Sequence, residues 1–335
     1  MSAPLRMALV GCGAISRWHR QAISEVEGID ITACIDVDRE RAEKTATDCG
    51  AVAYDSLSAA LEAGGFEAAL VMVPHHLHEV VALEVLGAGK HLLLEKPMAP
   101  TVESCERILA GAAAAPGVFM VGENAQYWPE VQIVGDAIES GAIGEVVTAA
   151  VHLFLPPLPD YYGGAKPWRF DASQAGGGLS IDTGSHYIRP LRMWLGEISE
   201  VVAAMERPHA EMEGESLARA LFRFESGVVA SFSLLLTGGA IAPQEMFRIT
   251  GTEGELTVGL DVKLFDRSHR GGQVLRPETP QGYMRSYAGQ LRDFVRAACE
   301  GVALEAGPEA SLGELRTALA MQRSAESGRW ESVWR

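Results

Sequence analysis

From Arg6 to about Asn124, short apolar runs rich in Val, Ile and Leu alternate with stretches of helical period. This is the pattern of parallel strands joined by crossover helices. The spacing predicts strands over Arg6–Val10, Ile31–Ile35, Ala68–Val73, His91–Leu94 and Val118–Val121. Helices are expected over Ala14–Val26, Arg39–Cys49, Leu77–Leu86 and Val102–Ala114, where apolar positions recur three and four apart and Gly or Pro marks the ends. Ala68–Val73 is almost continuously apolar, as a strand covered on both faces must be.

After a helix expected over Glu130–Ser140, the texture changes to alternating segments separated by Gly, Pro and polar turns: Glu145–Phe154, Glu200–Glu206, Ala218–Phe224, Val228–Leu236 and Phe247–Thr250. Period-two alternation at this spacing predicts an antiparallel sheet with one covered face. Two late helices, Tyr283–Glu300 and Glu309–Ala325, close the chain. The expected architecture is therefore a doubly wound α/β domain over 1–124 and an α+β domain with a large, mostly antiparallel open sheet over 125–335.

At 335 residues the chain exceeds what one core usually organises, and its 47% apolar content suffices for two. With 44 acidic against 28 basic residues, the net charge of −16 repels a phosphate backbone, so nucleic acid is not an expected partner. No apolar run approaches the roughly 18 residues of a membrane span, and no cleavable leader is read at the start. Five cysteines (Cys12, Cys34, Cys49, Cys105, Cys299), scattered without close pairs, suit buried thiols in a reducing compartment, and a cytoplasmic protein is the expectation.

Gly11-Cys12-Gly13-Ala14-Ile15-Ser16 follows the first strand and opens the first helix. In a dinucleotide-binding turn the first glycine permits the bend and the second admits the pyrophosphate to the helix's positive end. Ser16 departs from the usual third Gly or Ala, and an ordinary strand–helix turn would carry the same pattern. Asp36, twenty residues beyond Ser16 at the end of the second strand, is placed to accept from ribose hydroxyls, which favours NAD over NADP, with Arg39 near enough to offset the repulsion of a 2′-phosphate.

Val73-Pro74-His75-His76-Leu77-His78 and Glu95-Lys96-Pro97 fall at two successive strand ends, and Ala175-Gly176-Gly177-Gly178 precedes Asp182-Thr183-Gly184-Ser185-His186. With Gly141-Ala142-Ile143-Gly144 at the entrance to the second half, the chain resembles the Gfo/Idh/MocA oxidoreductases, over nearly its full length. The resemblance implies a Rossmann domain holding a nicotinamide cofactor and a sheet domain that meets the substrate and, commonly, another subunit. It implies that Lys96, Asp182 and His186 form the reaction centre, with Gly11, Gly13, Ala14, Ile15, Asp36, Pro74, His78, Glu95 and Asn124 around the cofactor. Many members carry an arginine near Gln126, which this chain lacks.

Oxidising a secondary alcohol requires an acceptor for the hydroxyl proton while hydride leaves carbon. His186 starts nearest a useful pKa, and Lys96 can donate to the developing alkoxide. Asp182 and His186, four apart in a segment of helical spacing, should share a face, although a self-satisfied acid–histidine pair in the core has the same signature. The loop Pro156–Asp171 supplies Tyr161, Tyr162, Lys166, Trp168 and Arg169, of which Tyr161, Trp168 and Arg169 are candidates to stack on and donate to a polyol. His75, His76 and His78 lack the partners of a zinc site, so no metal is expected, and His19, His91 and His152 read as structural.

The leading expectation is an NAD-dependent dehydrogenase of a sugar, sugar derivative or cyclitol, working as a homo-oligomer, dimer or tetramer. A keto-sugar reductase, a trans-dihydrodiol dehydrogenase, a glycoside-cleaving enzyme that oxidises its sugar transiently, and a cofactor-sensing regulator remain open alternatives.

Overall fold

The computed structural model describes residues 3–159, 167–276 and 282–335. The chain forms two compact units, Met1–Asn124 with Tyr283–Leu312 and Ala125–Gly282 with Gly313–Arg335. Sequence reading ran the second domain unbroken from 125 to 335, whereas Tyr283–Leu312 counts with the first unit. Among the described residues, no helix is long and apolar enough to cross a membrane.

The first unit alternates β1 (Leu5–Val10), α1 (Ala14–Ile23), β2 (Ile29–Ile35), α2 (Arg39–Cys49), β3 (Val52–Tyr54), α3 (Leu57–Ala63), β4 (Ala68–Val71), α4 (His78–Gly87), β5 (His91–Glu95), α5 (Val102–Ala114) and β6 (Phe119–Gly122). The six strands are parallel in the order β3-β2-β1-β4-β5-β6, so the chain reverses direction across the sheet between β1 and β4. Ligands of such sheets sit outside the carboxyl ends of the strands at that reversal. Register aligns Val10 with both Ile35 and Val71, Val71 with Leu94, and Leu94 with Val121. The residues that follow (Gly11, Asp36, Met72, Glu95 and Gly122) therefore emerge on one rim. Side-chain caps from Asp38, Ser56 and Thr101 start α2, α3 and α5. α1 has no side-chain cap at Gly13.

The second unit contains α6 (Pro129–Glu139), β7 (Val146–Leu155), α7 (Ala172–Ala175), α8 (Leu179–Asp182), α9 (Ser185–Leu195), β8 (Ile198–Glu206), β9 (Leu217–Phe224), β10 (Val229–Leu236), β11 (Phe247–Gly251), β12 (Gly254–Val258), β13 (Val262–Asp266) and β14 (Gln273–Arg276). α10 (Gly282–Glu300) and α11 (Ser311–Ser327) follow, and β15 (Glu331–Ser332) returns to the sheet edge beside β8. The nine strands are ordered β14-β13-β12-β11-β7-β10-β9-β8-β15. All neighbours are antiparallel except β7 and β10, which run parallel and make the sheet mixed. One face packs Val151, Leu153, Phe222, Phe232 and Phe247 with Val134 of α6 and Ile188 and Leu191 of α9. Each such fully buried side chain stabilises by about 1.5–3 kcal/mol. Leu221 and Val229 lie on the opposite face, exposed.

α10 supplies the first unit with side chains its own strands lack. Val295 lies beside Gly28, Gln290 beside Gly122, and the Tyr287 ring meets His19 edge-on at 4.8 Å.

Candidate active site

On the rim of the first unit the glycine turn is forced by sterics. Gly11 has φ +92°, and a Cβ there would stand 2.6 Å from the Met72 carbonyl oxygen. At Gly13 a Cβ would meet nothing within 4 Å, so the open space lies in front of an uncapped helix start. An anion can approach that start without displacing a side chain. Asp36 is buried, and its Oδ2 accepts from the Cys12 N–H at 2.9 Å while Oδ1 accepts from the Asp38 N–H at 2.9 Å. The carboxylate thus ties the second strand end to the glycine turn and keeps lone pairs for further donors. Arg41 approaches Asp36 Oδ2 at 3.4 Å, whereas Arg39, the arginine singled out from sequence, pairs with Glu43 in solvent.

The β4 and β5 ends are clipped together by His78. Its Nδ1 lies 2.8 Å from the Pro97 carbonyl oxygen and its Nε2 2.9 Å from that of Val73. Burial pushes the His78 pKa below the usual imidazole range, so the neutral ring has one N–H and donates to one carbonyl at a time. His78 therefore positions the loops carrying Pro74 and Lys96. Lys96 is half-buried, and its own N–H donates to Glu95 Oε2 at 3.2 Å. Glu95 Oε1 pairs with His19 Nε2 at 2.6 Å, which makes His19 part of the rim rather than a bystander. At the β6 end Asn124 Nδ2 donates to Ser286 Oγ at 2.8 Å. Asn124 Oδ1 is buried with no partner among the described residues, an acceptor left for a guest's N–H.

In the second unit the polar set is built around the triple glycine. Buried Glu215 accepts from the Gly178 N–H (3.1 Å), the Ser180 N–H (2.9 Å) and the Ser180 hydroxyl. A Cβ at Gly178 would lie 2.2 Å from the Glu215 carbonyl oxygen, so only glycine allows this approach. The anchored turn opens α8, which ends on Asp182. Thr183 N and Gly184 N both reach the Leu179 carbonyl at 2.9 Å, a locally widened turn, and α9 restarts at Ser185. Asp182 and His186 are thus not on one continuous helix, although both are buried.

Asp182 Oδ2 meets Arg169 Nε at 3.2 Å, and the Arg169 guanidinium lies over the Trp168 ring at 4.4 Å. The His186 ring lies 6.0 Å from that of Trp128. Beneath α9, Arg189 reaches Glu314 at 2.9 Å and Gln126 at 3.3 Å, while Arg192 joins Glu314 and Glu197. Gln126 Oε1 thus accepts from the Arg189 guanidinium.

The structure thus unites Asp36 with the glycine turn, Pro74 and Lys96 through His78, and Trp168, Arg169 and Asp182. Tyr161, Tyr162 and Lys166 lie outside the described residues. Sequence reasoning missed Glu215 and Arg41. Glu215 sits in a polar turn with no periodic signal, and its role depends on a glycine turn 37 residues away.

Comparison with known proteins agrees with this geometry. The family model described as "Oxidoreductase family, NAD-binding Rossmann fold" matches residues 5–123, and that of the "GFO/IDH/MocA C-terminal domain" matches residues 131–257. A 1,5-anhydro-D-fructose reductase of Ensifer adhaerens is 28% identical over 334 residues, covering 96% of this chain and 97% of its own. An inositol 2-dehydrogenase of Arthrobacter sp. (strain FB24) is 26% identical, covering 90% and 88% respectively. Among solved structures, an oxidoreductase of Thermotoga maritima superposes with a TM-score of 0.88 at 26% identity, over 98% of both chains. The glycine turn, the strand-end acid and the two matched domains together make this chain an NAD-binding oxidoreductase of the Gfo/Idh/MocA family.

Proposed function

We propose that the chain oxidises, reversibly, a secondary hydroxyl of a sugar, sugar derivative or cyclitol. The observation that carries this reading is the buried Asp182, salt-bridged to Arg169 at 3.2 Å and followed four residues on by buried His186. A buried carboxylate and guanidinium of this kind supply the acceptors and donors that suit a hydroxyl-rich guest. The names of the relatives, which include sugar and cyclitol dehydrogenases and reductases, support the same substrate class.

Bound NAD supplies the hydride acceptor, or as NADH the donor. The residues that would hold it are Gly11, Gly13, Ala14 and Ile15 at the pyrophosphate, Asp36 at the adenosine ribose, and Pro74, His78, Glu95 and Asn124 toward the other end. His186 takes the substrate's hydroxyl proton, and Lys96 donates to the same oxygen as its negative charge develops. Asp182, oriented by Arg169, accepts from a neighbouring substrate hydroxyl, and Trp168 and Arg169 contribute to substrate choice. The reductive direction is the second reading, favoured by the near full-length match to 1,5-anhydro-D-fructose reductase.

The test is a panel of polyols, cyclitols and aldoses with NAD, and of ketoses with NADH, read at the absorbance band of reduced nicotinamide. Turnover of one such compound is expected. Tight NAD binding with no turnover across both panels would overturn the reading in favour of a cofactor-sensing role.

We further read the chain as a cytoplasmic homo-oligomer that covers the open sheet face. The exposed Leu221 and Val229 on that face motivate the second part. Light scattering on the eluting protein should give a multiple of the chain mass, and a monomer at micromolar concentration would contradict it.

A further inference from the structure

Arg169 and Asp182 reach each other from two separate pieces of chain, and the connection between β8 and β9, residues 207–216, is bonded to both pieces. On the Arg169 side, the Glu213 N–H donates to the Phe170 carbonyl oxygen at 2.9 Å, and the Glu213 carboxylate accepts from the Ala172 N–H at 3.2 Å. The His209 ring meets that of Phe170 edge-on at 5.1 Å. On the Asp182 side, the Glu215 carboxylate accepts from the Gly178 and Ser180 N–H groups, and its carbonyl oxygen accepts from the Leu179 N–H at 2.8 Å. Between these two holds, Gly214 lies against the main chain of the triple glycine, where a Cβ would stand 2.5 Å from the Gly178 Cα. The connection is braced in turn. Arg207 Nη1 donates to the Glu213 carbonyl oxygen at 3.2 Å, the His209 N–H donates to Ser216 Oγ at 2.9 Å, and Met212 is buried.

We propose that Glu213 is a positioning residue that sets which hydroxylated compound the second unit accepts, a role that rests on Arg169 and Asp182 meeting the substrate as proposed above. Its N–H and its carboxylate hold the turn that follows Arg169, while Glu215, two residues on, holds the start of α8. Two residues of backbone span at most about 7 Å. The connection is therefore a short spacer that fixes the separation of the guanidinium from the carboxylate. Without the Glu213 carboxylate, the Ala172 N–H at the start of α7 loses this acceptor, although Asp171 still caps Ser173. Glu213 then holds the turn through its main chain alone. Arg169 Nε, 3.2 Å from Asp182 Oδ2, moves with the turn, and a hydrogen bond at that length weakens steeply with further separation. The Glu213 side chain is exposed, so its loss opens no hole in the core.

The experiment compares Glu213→Ala, Glu213→Gln, Arg169→Ala and the exposed neighbour Glu211→Ala with the parent, by steady-state kinetics on the two best polyols of the panel and by fluorescence titration of NAD. Glu213→Ala should raise KM about fivefold, with kcat within about twofold and NAD affinity unchanged, because His186 and the glycine turn are held by other segments. Its preference between the two polyols should fall as well. Glu213→Gln, whose amide oxygen can still accept from Ala172, should recover most of the KM, and Glu211→Ala should match the parent. In an Arg169→Ala background, Glu213→Ala should add nothing further. A parental KM in Glu213→Ala, while Arg169→Ala raises KM, would overturn the proposal and leave the substrate assignment standing. Losses that multiply in the double variant would overturn it too. A parental KM in Arg169→Ala would instead overturn the assignment of Arg169 to the substrate, and the role of Glu213 with it.

Discussion

Asp36→Ala tests the proposal that Asp36 recognises the adenosine end of the cofactor. The carboxylate is 7% exposed and accepts from the main-chain N–H groups of Cys12 and Asp38, each at 2.9 Å, with Arg41 at 3.4 Å. A hydrogen bond to a charged group contributes about 1.5–3 kcal/mol. Loss of one such bond to a ribose hydroxyl weakens NAD by roughly tenfold or more, and the freed Cys12 N–H adds to the loss. NADP responds in the opposite sense. A carboxylate about 4 Å from a 2′-phosphate repels each unit charge by about 4 kcal/mol at an effective dielectric near 20. Removing it also leaves Arg41 paired with Asp38 alone, at 3.1 Å. The ratio of NADP to NAD dissociation constants should therefore fall by about a hundredfold or more. Calorimetric titration of both cofactors at one ionic strength measures it. A ratio unchanged in Asp36→Ala would refute the assignment of Asp36 to the ribose, and with it the reasoning from the Cys12 contact.

Glu215→Gln keeps the side-chain shape but turns an NH2 toward a main-chain N–H that now meets an oxygen, at Gly178 or at Ser180. The expected loss is about 1.5–3 kcal/mol, read as a melting temperature lower by roughly 4–10 °C, and a shift within 1 °C would remove Glu215 from the account of the turn. For His78, whose pKa is lowered by burial, the unfolded chain takes up a proton below about pH 6.5 that the folded chain refuses, so stability falls as pH drops through that range. His78→Gln should be less stable at pH 7 yet lose about 1 kcal/mol less than the parent on going to pH 5.5. Parallel losses by denaturant unfolding at the two pH values would contradict a neutral buried ring.

What could be read without coordinates was local or periodic. The glycine turn, the strands before and after it, and Asp36 lie within one strand–helix–strand unit, and each carries its own signal. The edge strand β3 did not, because three residues with Val52 half in solvent leave no pattern. The strands β12 to β14 are five residues or fewer, too short for their alternation to stand out. Parallel pairing of β7 with β10 joins segments some eighty residues apart, which alternation cannot register. Helical spacing over Ser180–Trp194 was real, but the shared use of the Leu179 carbonyl by Thr183 and Gly184 interrupts it in a way no periodicity shows. The same limit applies to Glu215 and the return of α10 to the first unit, both of which are set by partners distant in sequence.

The claim on which the mechanism stands is that Lys96 and His186 act on one reacting oxygen. A double-mutant cycle of Lys96→Ala and His186→Ala tests it, using kcat/KM for the best polyol from the panel. Groups that act as a unit lose activity non-additively. The double variant should fall little below the worse single variant. Losses that multiply, as for two residues working independently, would contradict it.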